Sequence, residues 1–339
     1  ILIGVGVAVW ALEEIRDRRT LIRMGGAVAL TLAIGTLTVA LIDRPLDGAM
    51  LRQTFVDAMV AAFGGVCLGG LTLAILSPIE RLFDITTGMK LIELRDPKEP
   101  LLRELQIRAP GTYNHSLNVA SISEAASDAI GANGLLTYVG ALYHDIGKMN
   151  KPEYFVENQS GGPNKHDKLS PAMSLLVIVG HVKDGLEMAR DHALPRSIQH
   201  FIEGHHGTTL VEFFYHRAKE QATEDASEEA PEEFDYRYPG PKPRMKEVAI
   251  VMLADAVESA TRSLAEPTPS RIDALVQAIA NKRLLDGQFD ECDLTLKELN
   301  IIVGSISKSV ASIYHGRISY PKEEKKDDAA TRVAGRATQ

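Results

Sequence analysis

The chain has 339 residues, with 37 lysines and arginines against 45 aspartates and glutamates, a formal net charge of −8. An acidic chain without a Lys/Arg block excludes a binder of DNA or RNA polymers held by phosphate contacts. Its two cysteines, Cys67 and Cys292, exclude a disulfide scaffold or a Cys-rich zinc site.

Apolar residues crowd the first quarter of the chain and charges fill the rest, and the length suits about two domains. Residues 1–12 are apolar but too short to span a bilayer, and they read as part of a membrane helix whose beginning lies before the first residue. Residues 25–42 run 18 residues without a charge, and residues 58–79 run 22 more; each is long enough to span. The glycine pairs at 64–65 and 69–70 suit close helix packing in lipid. The segment 13–24 carries Arg16, Arg18, Arg19 and Arg23, whereas the segment 43–57 carries Arg44 and Arg52. This excess places 13–24 in the cytoplasm, so that helix 25–42 runs outward, helix 58–79 returns, and everything after residue 80 is cytoplasmic.

Beyond residue 80 the pattern is helical, with almost no strand alternation. The spacing predicts helices over 113–131, 135–146, 170–193, 195–207, 244–265, 269–285 and 295–315. Ser170-Pro171 supplies an N-cap and first-turn proline, and Thr295 with Glu298 a capping box. Residues 219–235 hold eight acidic residues against one lysine and read as a solvated insertion; the tail at 321–339 reads as disordered. The fold class is all-α: transmembrane helices over 1–79, a linker over 80–109, and a helical domain over 110–320.

Five of the ten histidines form an order with two aspartates: His115, His144-Asp145, His181, His205-His206 and Asp255. Imidazole and carboxylate donors suit first-row divalent metals. Seven ligands are too many for one ion but fit two that share a bridging carboxylate, an arrangement suited to phosphoester hydrolysis. Asp255 lies in the apolar run AIVMLADAVESA, where an unpartnered carboxylate is costly to bury. Taken singly, each element has a plainer explanation: a packed histidine at 181, a helix-end pair at 205–206.

The wording around these residues resembles a known family. YHDIGK at 143–148 is similar to the heart of the HD superfamily of metal-dependent phosphohydrolases. APGTYNHSLNVA (109–120), HHGTTLVEFFYHRA (205–218) and YRYPGPKPRMKEVAIVMLADAVESATRS (236–263) resemble its seven-transmembrane branch of bacterial cyclic di-AMP phosphodiesterases. The resemblance covers nearly all of residues 80–320, and it implies that the preceding helices end a seven-helix bundle in the bacterial inner membrane. By position it implies His115, His144 and Asp255 around one ion, His181, His205 and His206 around the other, and Asp145 as the bridge. It implies manganese or iron as the two divalent metals, a hydroxide attacking phosphorus in line with the leaving 3′-oxygen, and linear pApA as product. The expected partners are cyclic di-AMP and the lipid bilayer, with a homodimer as one oligomeric option. Lys148 adds positive charge at a phosphate oxygen and stands beside Asp145 as the second catalytic candidate. Asn158, Asn164 and His166, in the loop after the motif, are candidate substrate contacts. Glu258 and Arg262 read as a structural i,i+4 pair, and His192, His200, His216 and His315 as non-ligands.

Three other activities fit the chemistry less well. Cyclic di-GMP phosphodiesterases of the HD-GYP type carry a Gly-Tyr-Pro triplet shortly after the paired histidines, and here GTTLVEFF follows instead. Guanosine tetraphosphate hydrolases have acidic residues where this chain has Gly147-Lys148. A nucleotide-monophosphate phosphatase remains on chemical grounds alone. A non-catalytic nucleotide-sensing receptor is the alternative from another class, and degenerate modules of that kind lose ligands that this chain keeps.

Overall fold

The computed structural model describes residues 2–11, 18–43, 47–159, 163–224 and 230–315. The tail at 321–339 and residues 225–229 of the acidic run lie outside these. Thirteen α-helices are described: α1 Leu2–Ala11, α2 Arg18–Asp43, α3 Gly48–Phe83, α4 Gly88–Arg95, α5 Pro100–Arg108, α6 Pro110–Ala129 and α7 Gly134–Tyr143. They continue with α8 Pro171–Asp191, α9 Arg196–Gly204, α10 Glu212–Glu224, α11 Lys246–Arg262, α12 Pro269–Leu285 and α13 Leu296–His315. The bridge Leu210–Arg237 is the only β pairing among the described residues.

Helix starts follow the chemistry of orphan N–H groups. Asp47, Thr87, Asn133, Ser170 and Thr268 each accept a hydrogen bond from a first-turn amide. The capping box forms: Thr295 N–H donates to Glu298 at 2.9 Å and Glu298 N–H donates back to Thr295 at 3.2 Å.

The helices α2 and α3 are long and apolar enough to cross a membrane. They pack antiparallel through small residues: a Cβ on Gly65 would sit 2.5 Å from Ala29 Cα, and one on Gly69 would sit 3.0 Å from Gly25 Cα. Gly64 and Gly70 face open space instead. Leu30, Ile34, Phe55, Phe63 and Val66 point outward from the pair. The two segments between the apolar runs, 13–24 and 43–57, prove partly helical. Arg18, Arg19 and Arg23 form the first turns of α2, and Arg52 lies inside α3, whose start is fixed by the Asp47 cap.

Helices α4 to α9 and α11 to α13 share one core, and α10 packs Phe214 and Ala218 with Leu175 and Tyr236 in a smaller cluster. In α11 every residue from Val248 to Asp255 is buried, with Asp255 its only charged member. Residues 80–109 are not an extended tether, for they form α4 and α5, and Leu91, Leu94, Leu101, Leu102 and Leu105 lie in that same core. Each such leucine contributes about 1.5–3 kcal/mol by leaving water. The acidic run begins helically, since α10 extends to Glu224.

One predicted helix is broken at a consequential place. The sequence expectation of 135–146 ends early, because α7 stops at Tyr143 and the chain turns into a 3-10 segment at Ile146–Asn150. Gly147 lies against α8 so tightly that a Cβ would be 1.9 Å from the His181 carbonyl oxygen. The turn swings His144 and Asp145 off the helix and towards α8.

Candidate metal centre

Five elements meet at one buried point. His115 comes from the middle of α6, His144 and Asp145 from the turn after α7, and His181 from α8. His205 and His206 follow α9, and Asp255 comes from α11. His144, Asp145 and His205 are fully or almost fully buried, whereas Asp255 and His206 keep 12% and 20% of their side chains accessible. The centre therefore opens to solvent past these two.

Asp145 sits in the middle with its two oxygens facing different ways. Its Oδ2 lies 3.1 Å from His144 Nε2 and 3.6 Å from His115 Nε2. Its Oδ1 lies 3.4 Å from His181 Nε2 and 3.6 Å from His205 Nε2. Asp255 Oδ1 is 3.0 Å from His115 Nε2, and its Oδ2 is 3.9 Å from His206 Nδ1. Two groups of donors result, each with its atoms within 4.8 Å of one another: His115, His144, Asp145 and Asp255, and Asp145, His181, His205 and His206. Asp145 belongs to both.

The far ring nitrogens explain the aim. The Nδ1–H of His144 donates to the Ala141 carbonyl at 2.6 Å, that of His181 to Ile178, and that of His205 to Phe201 at 2.9 Å. His115 differs, for its Nδ1–H donates to a carboxylate, Glu258 Oε2, at 2.6 Å. Each bond fixes a tautomer and turns Nε2 inward, as outer partners do for metal-bound imidazoles. Glu258 in turn accepts from Asn118 at 3.1 Å and from Arg262 at 2.7 Å. The i,i+4 pair expected from the sequence is present, but Glu258 has this second role as well. Its position three residues after Asp255, on one helix face, was the available signal.

The donor set suits a cation. His144 Nε2 and Asp145 Oδ1 are buried without a hydrogen-bond partner, a cost of about 1–3 kcal/mol each unless something else satisfies them. Burial resists charging His115, yet hydrogen bonds to Asp255 and Glu258 push its pKa up to about 9. Burial holds His181 down at about 4, and burial with its histidine neighbours keeps His206 well below the ordinary value. Burial works against ionised Asp145 too, but His144 and Lys148 outweigh it and hold the carboxyl well below its usual range. The centre thus keeps carboxylates ionised and His181 and His206 neutral, the forms that ligate metal.

Lys148 lies on the rim. Its Nζ is 2.7 Å from Asp145 Oδ2 and 3.0 Å from Glu157 Oε1. Glu157 escaped the sequence reading, as did Tyr238, whose ring stacks on His206 at 4.2 Å with an interplanar angle of 25°. Glu157 lies in the short 3-10 segment Val156–Asn158 after the motif and Tyr238 in a loop far along the chain, and no periodicity marks either. The three loop candidates are engaged elsewhere. Both polar atoms of the Asn158 side chain bond Thr112, Asn164 accepts from the His166 amide, and His166 Nε2 donates to the Tyr154 carbonyl. Neither donor group includes His192, His200 or His216, and the His315 side chain is outside the described set. A cleft of about 1030 Å³ borders the centre, with Glu258, Arg262, Asn118 and Glu157 in its wall.

Residues 112–260 match the model of the HD domain family. The chain is 46% identical to the HD domain of the phosphodiesterase PgpH from L. monocytogenes, crystallised in complex with cyclic-di-AMP, with a TM-score of 0.61. That match covers 65% of this chain and 100% of the crystallised one. The chain belongs to the HD family, in its PgpH-type branch. Two curated relatives are longer than this chain. The cyclic-di-AMP phosphodiesterase PgpH of Bacillus subtilis (strain 168) is 43% identical over 310 residues, which are 91% of this chain and 42% of the relative. Its namesake from Listeria monocytogenes serotype 1/2a (strain 10403S) is 41% identical over 325 residues, 96% of this chain and 44% of the relative. The chain therefore spans about two fifths of the length of the curated HD proteins it matches.

Proposed function

We propose that the chain is the catalytic part of a membrane-anchored phosphodiesterase that hydrolyses cyclic di-AMP to linear pApA. The observation that carries this reading is the pair of donor groups sharing Asp145, set in an HD domain 46% identical to one crystallised with cyclic-di-AMP. In this reading His115, His144, Asp145 and Asp255 hold one divalent ion, and Asp145, His181, His205 and His206 a second, manganese or iron. Such a pair would polarise the phosphodiester and acidify the attacking water.

The chain's own residues do the rest. Asp145 fixes the spacing of the two groups, since each of its oxygens serves one of them. Glu258 and the carbonyls behind the histidines hold the rings before substrate arrives, so that no reorganisation is needed at reaction. Lys148, steadied by Asp145 and Glu157, presents an ammonium at the rim for a non-bridging phosphate oxygen. Water oxygen joins phosphorus, the bond from phosphorus to the 3′-oxygen breaks, and that oxygen leaves as a hydroxyl after taking a proton.

The apolar outer faces of α2 and α3 support insertion in a bilayer, with residues 1–79 as the end of a larger helical bundle and the HD domain over 110–320 in the cytoplasm. The buried leucines of α4 and α5 then join the span directly to the catalytic core, a rigid route for a signal from the membrane. The test is turnover of cyclic di-AMP beside cyclic di-GMP by the full chain in detergent with manganese. Conversion of cyclic di-AMP to pApA at least tenfold faster supports the reading. Preference for cyclic di-GMP, or tight binding without product, overturns it.

A further inference from the structure

A further cationic side chain, Arg283, lies within electrostatic reach of the centre. Helix α12 carries it in its last turn, and the charges around it are nearly all paired. Arg237 makes a two-pronged bond to Asp286 at 2.8 and 3.1 Å and also reaches Glu233. Lys282 contacts Glu212, and Lys242 contacts Asp290 at 3.3 Å. Arg283 lies between Lys282 and Asp286, yet among the described residues its guanidinium has no carboxylate partner. Its Nε is buried without a hydrogen bond. Burial lowers its pKa, with Asp255, Glu212 and Asp286 opposing at longer range.

The location matters as much as the missing partner. Tyr238, next in sequence to Arg237, stacks on His206, and the Gln288 side chain bonds Thr208 two residues beyond His206. Arg283 is close enough to act on both Asp255 and Tyr238. His206 and Asp255 are the two candidate ligands that keep solvent access, and Arg283, without a carboxylate partner among the described residues, lies within electrostatic reach of Asp255. A half-buried guanidinium whose Nε has no hydrogen bond is free to take an anion, and its planar fork matches two phosphate oxygens. Lys148, held between Asp145 and Glu157, stands at the His/Asp centre itself and so faces the phosphodiester being cut.

We infer that Arg283 binds the phosphodiester of the cyclic dinucleotide that is not being cut, and so selects ligands with two phosphates over ligands with one. This rests on the phosphodiesterase reading above. A cyclic dinucleotide carries two equivalent anionic groups, and only one can lie at the His/Asp centre. Arg283 takes the other and holds the ring in register, which makes it a positioning residue for the reaction.

The experiment measures cyclic di-AMP binding to the full chain in detergent with EDTA, where no turnover occurs, for wild type, Arg283→Gln, Arg283→Lys and Lys282→Gln. Loss of a charge-assisted bond should weaken binding at least about tenfold in Arg283→Gln. Arg283→Lys, which keeps the charge but not the fork, should fall between. Lys282→Gln, whose ammonium sits on Glu212, should stay within about twofold of wild type. With manganese, Arg283→Gln should raise KM for cyclic di-AMP more than it lowers kcat. Its kcat/KM for cyclic di-AMP relative to bis(p-nitrophenyl) phosphate, which has one phosphodiester, should fall at least about tenfold. Binding by both Arg283 variants within twofold of wild type, or an unchanged selectivity ratio, overturns the inference. A wild-type chain that neither binds nor cuts cyclic di-AMP overturns the proposed function instead.

Discussion

The helix pair α2–α3 and the HD domain use the same residue types in opposite ways. In the pair, glycine and alanine fill the interface while Leu30, Phe55 and Phe63 face outward. In the HD domain, leucine, isoleucine and valine fill the interior, and the groups that would be outermost in an ordinary protein, five histidines and two aspartates, are gathered at its centre. Apolar character alone does not say which way a side chain points; the surrounding solvent and the available partners do. In the proposed function lipid would receive the exposed apolar side chains of the pair, and a cation the buried charge of the domain.

Several substitutions would break or sharpen that contrast. The largest effect should come from Asp145→Asn, which removes charge from both donor groups at once. Turnover should fall by several kcal/mol of transition-state stabilisation, about a thousandfold, while circular dichroism stays unchanged. Leu102→Ala, in the helix that ties the span to the core, should lower HD stability by about 2–5 kcal/mol in chemical unfolding; a cost under 0.5 kcal/mol would show α5 to be a mere tether. Glu258→Gln frees His115 from its charged partner, and metal titration should report affinity about 10–100-fold weaker. That loss should be confined to one of two binding steps, because Glu258 bonds none of His181, His205 and His206 and the first two rest on backbone carbonyls. Gly65→Leu, inserted where Ala29 already touches, should cost the helix pair about 1–3 kcal/mol, with HD unfolding unmoved when the two transitions are followed separately. Arg244→Ala, which breaks an exposed pair with Glu291, should change stability by about 0–1 kcal/mol in the same assay.

Much of this was legible in the sequence, for identifiable reasons. Helix starts at Ser170 and Thr295 could be read because capping is local chemistry. The two long apolar helices could be read because length and the absence of charge are one-dimensional properties. The seven donors stood out through residue type and order, and through their resemblance to a family. What escaped depends on distant packing. The break after Tyr143 follows from Gly147 meeting the His181 carbonyl across α8, which no local propensity reports. The leucines of residues 80–109 read as a linker because their burial partners lie on α6 and α7, beyond any local window. Glu258 could have been found, since it shares a face with Asp255. Tyr238 and Arg283 could not, because their only connection to the centre is three-dimensional.

The central claim is that one carboxylate organises two metal sites. It is tested most directly by metal analysis of the purified full chain after loading with manganese and removal of excess, for wild type and Asp145→Asn. The account predicts two equivalents per wild-type chain, and one or fewer in the variant with its helical content intact. Two equivalents in both, or no more than one in the wild type, would contradict it.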